Sequence, residues 1–129
     1  MALDEVLTDP KNRNILYGAN VVGSFVPLTT HYANGISSAT ALTANYLIKD
    51  RDWKIAAYTT AGVISILDFL GGIDIKNTIG GNLQMAVESG VDALTAFALY
   101  KDLAAATGNR VVGSIKTSFV NLYQRYLNK

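Results

Sequence analysis

The sequence predicts an all-α fold. It reads as a single helical domain over residues 1–129, a bundle of four to five helices with a kink or break at Pro27. Three observations predict it. Helix punctuation recurs along the chain, with Asp9-Pro10 as a start and Gly71-Gly72 and Gly108 as stops. Between these marks, apolar residues step by three and four, most clearly over 110–127. No period-two strand pattern competes for more than a few residues, and Ile73-Asp74-Ile75 is too short to form one.

Each element follows from local chemistry. Asp9 offers an N-cap and Pro10 a pre-set first helical position, so a first helix is expected from Pro10 to Val26. Pro27 lacks an N–H and breaks it. A second helix is expected over Leu28–Lys49. Its small residues Ala33, Ser37, Ala41 and Asn45 recur every four positions, a ridge that lets another helix backbone approach closely. Asp50-Arg51-Asp52 is a charged turn that caps a third helix, Trp53–Leu70, which is apolar on every side over Ile55–Leu67 and therefore buried. Gly71-Gly72 is expected to end it. A loop through Asp74, Lys76 and Gly80-Gly81 leads to a fourth helix, Asn82–Thr107. Its Leu83, Val87, Gly90, Val91, Leu94, Phe97 and Ala98 are expected to face inward, with Glu88, Asp92, Thr95 and Asp102 outward. Gly108 stops it and Asn109 caps the last helix, Arg110–Leu127. There Val112, Ile115, Phe119, Leu122 and Tyr126 form the expected seam.

Composition narrows the function classes. The chain has 129 residues, 16% of them charged, where about 25% is usual. Ala, Gly, Ser and Thr make up over a third of it. A free monomer normally carries a well-charged surface, so much of this surface is expected to be covered. The net charge of +1 excludes a strongly basic nucleic-acid binder. The absence of cysteine excludes disulfides, thiolate metal sites and cysteine nucleophiles. Asp4, Glu5 and Asp9 at the start of the chain do not fit a signal peptide. The longest uncharged run, the 35 residues Asn14–Ile48, is interrupted by Asn, Ser and Thr, and the mean hydropathy is only +0.21. A helical segment buried by other protein fits it better than a membrane span, because neutral polar groups can find partners there.

No catalytic, cofactor or metal constellation emerges. His31 is the only imidazole, with no acidic residue within fifteen positions, and reads as a polar lining residue. Glu88 and Asp92 fit a solvated helix face better than a cation site. Asp68 lies where the helix dipole disfavours it and is expected to pair with Lys76 or Lys101. The glycine pairs lack the Lys-Ser/Thr of a phosphate loop. The one charge asymmetry is C-terminal: over Leu103–Lys129 the charged residues are Arg110, Lys116, Arg125 and Lys129, all basic. Basic residues among neutral hydrogen-bonders suit a phosphate backbone without base reading. Arg125 and Lys129 also simply suit a helix C-terminus.

In size, lack of cysteine and small-residue helices, the whole chain resembles the major capsid proteins of large tailed spindle-shaped archaeal viruses, bicaudavirus-like, though it carries no diagnostic motif. The resemblance implies a non-enzymatic coat subunit without cofactor, located in the virion. Many copies would assemble through apolar helix contacts into a helical shell around double-stranded DNA. Leu28–Lys49 and Trp53–Leu70 would then carry intersubunit contacts, with Ala33, Ser37, Ala41, Ile55, Val63 and Ile66 as candidates. Arg110, Lys116, Arg125 and Lys129 would face the DNA. The alternative is a small polytopic membrane protein, a holin-like pore former, with Asn14–Ile48, Ile55–Gly72 and Ala93–Tyr100 against lipid. A third class is a small-ligand carrier with a pocket lined by His31, Trp53 and tyrosines.

Overall fold

The computed structural model describes residues 3–24, 33–74 and 83–127, and over these the chain is all-α. Six helices follow in order: α1 Leu3–Thr8, α2 Pro10–Ser24, α3 Ala33–Tyr46, α4 Arg51–Asp74, α5 Leu83–Thr107 and α6 Val111–Tyr126. The helix beyond the expected four to five is the short α1. Pro27, His31, Lys76, Gly80-Gly81 and Lys129 lie outside the described residues.

The capping chemistry holds at two starts. The Lys11 N–H donates to Asp9 Oδ1 at 2.9 Å and the Asp52 N–H to Asp50 Oδ1 at 2.9 Å, each satisfying an orphan amide of a first turn. Because Asp50 is the cap, α4 begins at Arg51, two residues before the expected Trp53. At its other end α4 runs through Gly71-Gly72 to Asp74. Glycine stops a helix where the backbone turns left-handed, and that happens instead at Gly108, with φ 63°. Asn109 follows at φ 70°, and its N–H reaches back to the Ala104 carbonyl at 2.9 Å, closing a Schellman turn. Asn109 is therefore part of the stop and does not cap α6. Arg110 precedes α6 and makes no side-chain cap bond.

α4 lies at the centre, packed between α3 and α5, with α6 also against it; α2 packs on α3 and also touches α5. The core is small and tight: Tyr17, Ala41, Ala44, Ile55, Tyr58, Ala61, Ala98, Leu99 and Leu103, closed at one end by Leu7. At Gly35 a single added Cβ would collide with the Ser24 side chain, so α2 and α3 touch there almost backbone to backbone.

Three faces differ from expectation. On α3, Ser37 and Ala41 are fully buried within the chain, as is Ile55 on α4, so these three side chains pack in the chain's own interior, while Ala33 and Asn45 are half-buried. On α5, Asp92, Thr95 and Asp102 are buried while Gly90 is exposed, so the polar stripe faces inward. On α6, Ser118 and Leu122 are buried with Val111 and Ile115 against the core, whereas Val112, Phe119 and Tyr126 are exposed. The α6 seam is thus rotated from the apolar stripe, and Arg125 and Asn121 bond to Asp50 and Asp52 around the start of α4.

Candidate functional site

The interior is organised by hydrogen bonds. Arg13 is the most buried basic residue among those described. Its Nε donates to Asp102 Oδ1 at 3.0 Å and its Nη2 lies 2.9 Å from the same oxygen. Its Nη1 caps the end of α1 through the Leu7 and Thr8 carbonyls at 2.8 and 2.9 Å. The second Asp102 oxygen accepts from the Tyr17 hydroxyl at 2.6 Å. Burial, then the Asp102 charge and hydrogen bond, push the Tyr17 hydroxyl far above its ordinary value of 10.0. A second tier joins three helices: Asn20 Nδ2 donates to Ser38 Oγ at 2.9 Å and to Thr95 Oγ1 at 2.8 Å. A third joins α3 to α4, where Ser37 Oγ meets Ser65 Oγ and the Ala61 carbonyl, both at 2.8 Å. Near the α3 C-terminus, Asn45 donates to Asn14 Oδ1 at 2.6 Å and accepts from the Tyr58 hydroxyl. Asn14, Asn20, Ser37, Ser38 and Asn45 of the uncharged run thus find partners inside their own chain.

The exterior is correspondingly apolar. On the second half of α4, Val63, Ile66, Leu67 and Leu70 are all about half exposed or more, at helical spacing of three and four. On α6, Val112, Phe119, Val120, Tyr123, Tyr126 and Leu127 are exposed, with Trp53 of α4 tilted against Tyr126 at a ring-centroid distance of 5.6 Å. Val63 and Ile66, of the six candidate intersubunit residues, are on such a stripe. Ala33 is half-buried at the start of α3. Among the described residues, no helix is long and apolar enough to cross a membrane. Trp53 is exposed, and of the two cavities described below neither is lined by it.

The four basic candidates separate. Arg110 and Lys116 are exposed and form no ion pair among the described residues. Arg125 is committed: Nη1 lies 2.5 Å from Asp50 Oδ2 and Nη2 3.0 Å from Asp52 Oδ2. Lys101 is not the partner of Asp68; it pairs with Asp4 and stands 5.4 Å over the Phe97 ring. The basic feature that sequence reasoning missed lies at the start of α4. Lys49, Arg51 and Lys54 line a cavity of about 350 Å³ with Tyr58, Asp102, Ala105 and Ala106. A second cavity of about 290 Å³ is lined by Arg51, Arg110, Gly113, Ser114 and Thr117. The signal was present in the alternation Lys49-Asp50-Arg51-Asp52-Trp53-Lys54, but only the fold shows that the acids turn to Arg125 while the bases line the clefts. Among the described residues, no group of acidic or histidine side chains could hold a metal ion. No protein family, curated protein or solved structure matches the chain.

Proposed function

We propose that the chain is a non-enzymatic structural subunit of coat type. Many copies associate through apolar helix faces into a helical shell, in a virion, enclosing double-stranded DNA. The observation that carries the reading is the distribution of side chains: Ser37, Ser38, Ser65, Thr95 and several alanines take up interior positions, while Val63, Ile66, Leu67 and Leu70 stand outside. Apolar surface at helical spacing is stabilised by burial at about 25 cal/mol per Å², and a contiguous patch marks an interaction site. A net charge of +1 leaves little repulsion between copies. The α4 stripe begins about 15 Å along the helix from Asp52, where α6 is clasped. Two unlike patches on one subunit favour head-to-tail arrays over closed pairs. For DNA, the free cations Arg110 and Lys116 support a modest contribution per copy, summed over the array by multivalency.

Sedimentation and electron microscopy of the purified protein across a concentration series test this. Large ordered assemblies are expected from the native chain. Leu67→Glu, at a position 62% exposed, is expected to remain a folded monomer. A native protein that stays a monodisperse monomer at high concentration overturns the proposal. For any DNA association, Lys116→Gln should flatten the salt dependence of binding.

A further inference from the structure

We infer that the double cleft around Arg51 is a binding site for a phosphate-bearing anion. Neither the assembly reading nor the DNA contacts of α6 are needed for it. The argument begins with charge sorting. Of the six residues Lys49–Lys54, Asp50 and Asp52 face α6 and are taken up by Arg125. Lys49, Arg51 and Lys54 line the 350 Å³ cavity, and none of them forms an ion pair among the described residues. Three uncompensated cations around one cavity repel each other, and an anion relieves that repulsion.

The carboxylate lining the same cavity does not compensate them. Both Asp102 oxygens are already held, one by Arg13 and one by Tyr17. Asp102 therefore supplies a fixed wall and not a counter-ion. Arg51 also lines the second cavity together with Arg110, and there the Ser114 and Thr117 hydroxyls add neutral donors. An arginine shared between two clefts, with lysines on one side and an arginine and hydroxyls on the other, suits an anion with two adjacent charged groups. Arginine presents a planar fork of donors that matches phosphate oxygens in pairs, and lysine adds a point charge. The 350 Å³ volume lies at the small end of the roughly 300–1,000 Å³ range of ligand sites. A diphosphate group is therefore the ligand chemistry that the clefts fit, either free in solution or as neighbouring phosphates of a nucleic-acid backbone.

Isothermal titration of the full chain with inorganic pyrophosphate tests the inference. One saturable site per subunit is expected. Arg51→Gln and Lys54→Gln should each weaken it about tenfold or more, the scale of one charge-assisted hydrogen bond. Lys11→Gln, an exposed position on α2 outside the clefts, should stay within about twofold. Thermal melts by circular dichroism confirm that each variant is folded, and Lys54→Gln serves if Arg51→Gln is not. The same titrations on Leu67→Glu separate this site from assembly, because a monomer should bind equally well. A duplex of about 20 base pairs distinguishes the sources. Displacement of duplex by pyrophosphate identifies backbone phosphate, and indifference identifies a free anion. Absence of saturable pyrophosphate binding, or native affinity in both folded variants, overturns the inference.

Discussion

Arg13 and Arg125 do the same chemistry in opposite settings. Each holds carboxylates of a distant helix, but Arg13 is 4% exposed and the Arg125 side chain 40%. Around Arg13 every charge is surrounded by bonds: Asp102, Tyr17 and the end of α1 close the group completely. An alternative register between α2 and α5 would strand both charges in the interior at a cost of several kcal/mol. Around Arg125, water competes for every bond, so the clasp orients α6 without dictating it. Burial, and not the identity of the ion pair, decides which one specifies the fold.

The comparison can be broken most forcefully at Arg13. Arg13→Met leaves Asp102 as an uncompensated buried charge and uncaps α1, and should lower unfolding free energy by about 3–5 kcal/mol in denaturant titration. Pairing it with Asp102→Leu should recover much of that loss, since neither charge is then stranded. Tyr17→Phe removes one hydrogen bond to the same carboxylate and should cost about 1–3 kcal/mol. It should also flatten the alkaline limb of stability. With the Tyr17 hydroxyl raised by burial and by Asp102, its contribution is full below the ordinary value of 10.0. Above that pH it falls, because the unfolded chain releases the proton and the folded one keeps it.

Arg125→Gln is the smallest of the set. It should leave global melting nearly unchanged and increase hydrogen exchange in α6, with the difference vanishing at high salt. The Arg125 hydrogen bond holds the Asp50 carboxyl below its ordinary 3.8. This contribution is therefore present above about pH 3.8 and lost as pH falls through the lowered value. An acid titration of α6 protection should show that step in the native chain and not in Arg125→Gln.

Helix starts and stops were legible where one residue carries the chemistry: Asp9, Asp50 and Gly108 act locally, through their own side chain or backbone. Gly71-Gly72 was not, since a glycine pair permits a stop without imposing one. The facing of α5 and α6 was legible only in part: Leu94, Phe97, Ala98, Ile115 and Leu122 turn inward as their period predicts, but the polar residues do not follow it. Periodicity identifies an apolar stripe, and the usual assumption turns that stripe inward. Here Asp92, Thr95, Asp102 and Ser118 turn inward. For Asp102 and Thr95 the direction is decided by partners 70 or more residues away, Tyr17 and Arg13 for the first and Asn20 for the second, and no local pattern encodes that. The basic clefts were hidden for the same reason: Lys49, Arg51 and Lys54 alternate with acids in sequence and separate from them only in the folded chain.

The serine contacts of the interior carry a consequence for how such a sequence can drift. Ser37 and Ser65 are fully buried and leave no room for a larger side chain, and loss of either hydroxyl removes the bond between them. As far as the chain's own interior is concerned, Val63, Ile66 and Leu67 can exchange among aliphatic residues. Under selection the inconspicuous small polar positions would hold still while the hydrophobic ones wander, the reverse of the pattern by which a buried core is ordinarily recognised.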